Sequence, residues 1–251
     1  MRKTLSVAII TRNEEANLAR TLGSVAWADE MVVVDCGSKD RTEEIARSFR
    51  ARFFLEEWKG FAAQKNSALE KCACDWILSL DADESLSDEL AKEIWELLEN
   101  DPPFDGYALA RRNLFLGRWI RYGGFYPDPK LRLFRRGAAE FEARPVHETL
   151  HFVGKAGRLK GDMVHDAYPS LEAYIAHMDR YSTLGAEQEV REGKSSAFAV
   201  NVVLNPIATF VYNYFFRLGF LDGREGLLLH LYHSVYVSWK YAKAWEQSRG
   251  R

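Results

Sequence analysis

The chain has few cysteines. Cys36, Cys72 and Cys74 are the only three in 251 residues, too few for a disulfide framework in a chain of this size. Cys72 and Cys74 make one close pair with no second pair to complete a thiolate zinc site. An excess of charge of one sign is also missing. The formal net charge is −2, which gives no global electrostatic basis for binding a nucleic acid polymer. In "MRKTLSVAIITRNEE" the apolar run behind the short basic start is too brief for a signal peptide. The expected location is therefore a reducing cytoplasm. No G-x-G-x-x-G and no G-x-x-x-x-G-K-[ST] occurs, so dehydrogenase and P-loop readings lose their main support. Internal repeats and low-complexity tracts are absent too.

What is present is ordinary folded-protein material, 47% hydrophobic and 28% charged. "LSVAII", "EMVVVD", "RFFLEE" and "DWILSLD" read as strands, and "EEANLARTLGSV", "DRTEEIARSF" and "FAAQKNSALEKC" between them carry apolar residues at helical spacing. This alternation predicts an α/β fold with a doubly wound, mostly parallel sheet. Ligands bind such sheets beyond the carboxyl ends of the strands. We expect residues 1–110 to form the ligand-binding α/β half. Residues 111–165 lose the alternation, and residues 166–251 form a helical, aromatic-rich C-terminal extension.

The middle piece is locally basic. Between Arg111 and Arg136 stand eight Arg or Lys residues against Asp128 alone, which suits a phosphorylated or acidic ligand or a solvated basic face. The last piece contains "AFAVNVVLNPIATFVYNYFFRLGFL" and "GLLLHLYHSVYVSWKYAKAW". Pro206 interrupts the first and Asn201, Asn205, Asn213 and Arg217 dilute it, making it a poor transmembrane span. It packs a core or rests on a membrane surface through residues such as Tyr212, Tyr214, Phe215, Phe216 and Arg217. Alternatively, the same aromatics make a contact in a homo-oligomer.

The strand ends carry the candidate chemistry. After the first strand come Thr11, Arg12, Asn13 and Glu14, spaced either as a helix capping box or as a loop that cradles a nucleotide. Asp35 ends the second strand, where an aspartate can read a ribose or a base edge, and Asp40 can cap the following helix. Lys65 either reaches toward phosphates or solvates a helix face. In "ILSLDADE", Asp81 and Asp83 point the same way along an extended segment. Two hard oxygen ligands so placed form part of a Mg²⁺ or Mn²⁺ site that leaves positions for substrate phosphates. The competing reading is an acidic helix N-terminus beginning in "ESLSDEL".

In order and separation, "SVAIITRNEEANLARTLGSV", "VVVDCGSKDRT", "QKNSAL" and "ILSLDADE" resemble the family 2 glycosyltransferases of the GT-A fold. "GRWIRYGGFYPDPKLRLFRR", "RPVHETL", "VHDAY" and "GFLDGREGL" are similar to the subset associated with lipopolysaccharide inner-core glucosyl transfer. The resemblance implies a metal-assisted enzyme that moves one sugar, glucose from UDP-glucose, with inversion. Thr11, Arg12, Asn13, Glu14 and Asp35 then hold the uridine, and Lys65, Asp81 and Asp83 face the diphosphate. Asp83 and Asp81 are the cation ligands, with His165 as a third. Glu148 of "RPVHETL" is the implied base, with His147 as its orienter or substitute; pairing of Glu148 with a nearby arginine is the plainer alternative. Arg112, Arg118, Arg121 and Arg132, with Trp119 and Tyr122, are the implied lining for an anionic saccharide acceptor. The Q-x-x-R-W element of processive synthases is absent, consistent with transfer of a single sugar.

Two alternatives remain at this stage. One keeps the donor and changes the acceptor to a polyprenyl phosphate or another cell-surface glycan, with the enzyme peripheral at the inner face of the cytoplasmic membrane. The other is a noncatalytic nucleotide-sugar-binding or scaffold protein.

Overall fold

In the computed structural model, residues 1–142, 149–192 and 198–249 are described. The chain divides into two compact units, Met1–Arg111 with Pro129–His165, and Arg112–Asp128 with Asp166–Arg251.

The first unit is built on the apolar runs identified above. The strands are β1 (Leu5–Thr11), β2 (Glu30–Asp35), β3 (Arg52–Leu55), β4 (Trp76–Asp81) and β5 (Glu84–Leu86). Four helices alternate with them, α1 (Leu18–Ser24), α2 (Thr42–Ser48), α3 (Phe61–Glu70) and α4 (Asp88–Glu99). Then follow β6 (Gly106–Phe115), whose end belongs to the second unit together with β7 (Arg118–Trp119), then β8 (Lys130–Arg135), β9 (Ala139–Glu142), β10 (Thr149–Phe152) and β11 (Ala156–Tyr168), whose last residues also belong to the second unit. The main sheet runs β3-β2-β1-β4-β8-β6-β11-β5. Pairing is parallel from β3 to β4 and antiparallel where β8 meets β4 and β6 and where β5 meets β11. The expected α/β sheet is therefore present, with a parallel half and a mixed half. β9 and β10 form a separate hairpin.

β1, β2 and β4 are covered on both faces, which is why they read as continuous Val, Ile and Leu runs. Leu5, Val7, Ile9, Val33, Trp76 and Leu78 are buried in one core, and Ala8, Val32, Val34, Ile77 and Phe134 in the other. Register then levels their ends. Thr11 pairs with Asp35, and Ile10 with Asp81, so the polar residues after these runs emerge at one edge of the sheet.

The local signals at two helix starts resolve differently from their sequence patterns. The Thr11–Glu14 capping box does not form. Thr11 closes β1 and donates its hydroxyl to Asp35, Glu14 accepts from the Asn17 side chain, and α1 begins only at Leu18. The helix expected from "ESLSDEL" begins at Asp88, behind a Ser87 cap that accepts from the Leu90 N–H. Glu84 lies on a short strand instead, so the acidic cluster at Asp81–Glu84 is not a helix N-terminus.

The second unit holds α5 (Leu171–Arg191), α6 (Asn205–Val211) and α7 (Gly223–Arg249). Phe115, Ile120, Tyr174, Met178 and Leu229 form its core. Pro206 does not break the segment around α6. Helical conformation is continuous over 198–216, with π-helical stretches at Val200–Leu204 and Tyr212–Phe216. Pro206 stands in the first turn of α6, just behind the first of these stretches. No helix among the described residues is long and apolar enough to cross a membrane.

Candidate active site

At the level ends of β1 and β2, the loops are stitched together by side chains. Asp35 is 1% exposed. Its Oδ1 accepts from the N–H groups of Gly37 and Ser38 at 2.9 and 2.8 Å, and its Oδ2 accepts the Thr11 hydroxyl at 2.8 Å and the Ser38 hydroxyl. Asn13 adopts φ 55°, in the left-handed region that asparagine tolerates better than most residues. That turn lets its N–H reach Ser38 Oγ at 2.7 Å and its Oδ1 accept from the Lys39 N–H at 2.9 Å. The Glu14 N–H donates to Thr42, and the Glu15 N–H to Asp40. Asp40 also accepts from the N–H and hydroxyl of Thr42 at the start of α2. Arg12 stands exposed beside this wall.

At the end of β4, Asp81 lies between two cations. Lys65, on α3 and 6% exposed, places Nζ 2.9 Å from Oδ1; Arg132, on β8, places Nη2 2.7 Å from Oδ2. Desolvation pushes this carboxyl up, but Arg132 and then Lys65 more than reverse the push, holding its pKa well below the usual carboxylate range. Glu84, 0% exposed, pins the turn from inside. Its Oε2 accepts from the Asp81 N–H at 3.0 Å, and its Oε1 lies 2.8 Å from Arg132 and 3.2 Å from Arg111. Thr21 of α1 completes the turn by donating to the Ala82 carbonyl at 2.6 Å.

The crowding of carboxylates in "DADE" is therefore resolved by division of labour. Glu84 is buried on arginines and Asp81 is paired with Lys65 and Arg132. Asp83 meets His165 of β11, whose Nε2 lies 3.3 Å from its Oδ2. The pairing of His165 with Glu84 across β11 and β5 brings the imidazole to that point. Glu14 faces the same region. Burial raises its pKa, the Asn17 hydrogen bond lowers it, and the nearby charges of Asp83, Asp40 and Asp81 raise it again.

Among the described residues, no three His, Cys, Asp or Glu side chains are grouped as a metal cage. Asp83 and His165 do converge as a pair of an acidic and an imidazole ligand. This fits a divalent ion that takes its other ligands from water or substrate phosphates.

Arg132 is thus in the carboxylate network rather than with the other basic residues of the middle piece. Of those residues, Arg112, Arg118 and Arg121 belong to the second unit, while Arg111, Lys130, Arg135 and Arg136 belong to the first. The guanidiniums of Arg112 and Arg121 lie 4.5 and 4.1 Å from the Trp119 ring. Arg118 is 3.7 Å from Glu225, and the N–H groups of Arg121 and Tyr122 donate to the buried Asp222 carboxylate. Gly123, at φ 67°, packs so closely that an added Cβ would lie 1.9 Å from the His230 ring. His147 and Glu148 lie outside the described residues.

Sequence reasoning missed the roles of Glu84, Arg111 and Thr21. The third carboxylate of "DADE" was the available signal for Glu84, since a buried acid needs cations; nothing local marked the other two.

The family model described as glycosyl transferase family 2 matches residues 6–149. A lipopolysaccharide core biosynthesis glycosyltransferase of Rhizobium meliloti is 34% identical over 226 residues, covering 87% of this chain and 82% of that one. An uncharacterized glycosyltransferase of Rickettsia typhi is 33% identical over 244 residues, covering 90% and 81%. Among solved structures, a mannosyltransferase of Pyrobaculum calidifontis in complex with GDP-Man and Mn²⁺ superposes with a TM-score of 0.55. It is 18% identical, and the match covers 98% of this chain and 88% of that one. At that identity the likeness is one of fold, and it is a GT-A glycosyltransferase fold.

Proposed function

The chain belongs to glycosyl transferase family 2 and is a glycosyltransferase; from that premise we propose that it moves one glucose from UDP-glucose, with inversion, onto a lipopolysaccharide inner-core saccharide. The observation that carries the reading is the convergence at one sheet edge of the Thr11–Asp35 wall with Asp81, Asp83 and His165. The similarity to the Rhizobium meliloti lipopolysaccharide core enzyme supports the acceptor class.

In this reading the wall from Thr11 to Glu14 receives the uridine, and Asp35 acts by fixing that wall's shape. Asp83 and His165 would hold Mg²⁺ or Mn²⁺, which when bound would supply positive charge beside the diphosphate. Lys65 and Arg132 keep Asp81 ionised and oriented beside it. Glu148 takes the proton of the acceptor hydroxyl from the side opposite the leaving group, as inversion requires; His147 orients it. Trp119 between Arg112 and Arg121, with Arg118 and Tyr122, offers a stacking surface and planar donors to an acidic sugar.

Calorimetric titration of UDP-glucose with and without Mn²⁺ tests the donor site, with GDP-mannose as the competing donor. Metal-dependent binding of UDP-glucose, lost in Asp83→Ala, is the expected result; binding of GDP-mannose alone would replace the donor. A lipid-linked acceptor, handled at the inner face of the cytoplasmic membrane, is a second reading favoured by the exposed apolar residues of the second unit. Turnover on lipid-linked against core-saccharide acceptors separates the two.

A further inference from the structure

The helical run over 198–216 is amphipathic in the wrong sense for water. Its polar residues Asn201, Asn205, Thr209 and Asn213 recur every four residues and are all partly buried. Asn205 donates to Asn201 at 2.6 Å, and Ser238 of α7 donates to the Val202 carbonyl at 2.8 Å. Its apolar residues face outward at the same interval. Val203 and Leu204, Ile207, Val211, and Phe215 and Phe216 are exposed, Leu204 by 57% and Phe216 by 75%. Tyr214 points inward instead, against Phe210 and His230.

A four-residue interval overshoots the 3.6-residue turn of an α-helix, so a stripe written with it would wind around the surface. The two π-helical stretches place more residues in each turn and offset that drift. The stripe consequently stays on one side of the run. No charged residue occurs in 198–216. Exposed apolar side chains continue through Leu218, Phe220 and Leu221, and then at Leu227 and Leu231 of α7.

We propose that this face is a docking surface for a lipid bilayer with anionic headgroups, on which the run lies flat at the interface. Charge chooses this occupant. From Phe198 to Leu231 the charged residues are Arg217, Asp222, Arg224 and Glu225. Asp222 is 2% exposed and accepts from the Arg121 and Tyr122 N–H groups, and Glu225 is paired with Arg118. The exposed charges are therefore Arg217 and Arg224. Arginines beside an uncharged apolar stripe bearing Tyr212, Phe215, Phe216 and Phe220 suit the headgroup level of an anionic membrane. A twofold contact between copies of the chain would set the same cationic surface against itself. The inference does not depend on the donor or on the acceptor.

The test is co-sedimentation of the full chain with vesicles of phosphatidylcholine alone, or mixed with phosphatidylglycerol, at low and high salt. We expect pelleting with the mixed vesicles that weakens with salt. The double variant Ile207→Asp with Phe215→Asp, both changes at exposed positions, should lower partitioning about tenfold or more. An unchanged circular dichroism spectrum and urea midpoint show that the variant is folded. No pelleting with either vesicle overturns the proposal, as does pelleting that the double variant leaves intact. Self-association in solution that the double variant abolishes, without vesicle binding, overturns it in favour of a second copy of the chain.

Discussion

His165 stands 3.3 Å from Asp83, imidazole Nε2 to carboxylate Oδ2, although Asp83 follows β4 and His165 lies far along the chain on β11. Each should therefore matter to the same ligand. Asp83→Ala and His165→Ala are each expected to weaken Mn²⁺-dependent binding of UDP-glucose by about tenfold or more. Binding of UDP in the presence of a chelator should change much less. Equal losses with and without the metal would remove these residues from the cation and make them structural.

Arg132 is shared by Asp81 and Glu84, and Glu84 has no exposure to water. Arg132→Met should cost about 3 kcal/mol of folding stability, because among the described residues it leaves Arg111 as the one cation paired with a buried carboxylate. Adding Glu84→Gln should recover part of the loss. Urea denaturation of the single and double variants measures the coupling, and strictly additive effects would contradict it.

Glu148→Gln retains the shape of the side chain and removes its basicity. Transfer to acceptor should fall by a factor of about 10² to 10⁴, while calorimetric UDP-glucose affinity stays within about threefold of wild type. Unimpaired turnover would move the base to another residue, His147 being the first to examine.

His230 is 1% exposed, and neither ring nitrogen has a hydrogen-bond partner among the described residues. Burial pushes its pKa down to about 4, His233 adds to the push, and Asp222 opposes it. Below pH 6.5 the unfolded chain takes up a proton that the folded chain refuses, so the effect is destabilising in acid. The stability at stake is on the order of 3 kcal/mol, fully present above pH 6.5 and lost as pH falls toward 4. In urea midpoints measured across this window, His230→Gln should flatten the slope; an unchanged slope would assign it to other groups.

The parallel half of the fold was legible because strands buried on both faces must be written as apolar β-branched runs. Val32, Val33 and Val34 before Asp35 are a clear instance. The edges of elements were less legible. Glu14 sits at a capping-box spacing from Thr11, yet the hydroxyl of Thr11 finds Asp35 across the sheet, a partner no local pattern reveals. Arg132 was grouped with Arg112 and Arg118 because they are near in sequence, but β8 delivers it to Asp81 and Glu84. In the C-terminal piece Asn201, Asn205 and Asn213 were read as diluting an apolar run, and their four-residue spacing carried no direction by itself. Which stripe faced outward depended on Ser238 and on the π-helical turns, and neither has a sequence signature.

The saturation of Asp35 has a thermodynamic consequence. Both its oxygens are satisfied by Thr11, Gly37 and Ser38, so the chain's own hydrogen bonds fix the wall beside it. In the proposed donor site, a nucleotide that fits would gain its contacts without first meeting the entropic cost of organising loops. One with a different hydrogen-bonding edge meets a surface that does not adapt and leaves polar groups unpaired. Under the proposed donor reading, discrimination between bases would then arise from rigidity, as rejection of the wrong donor.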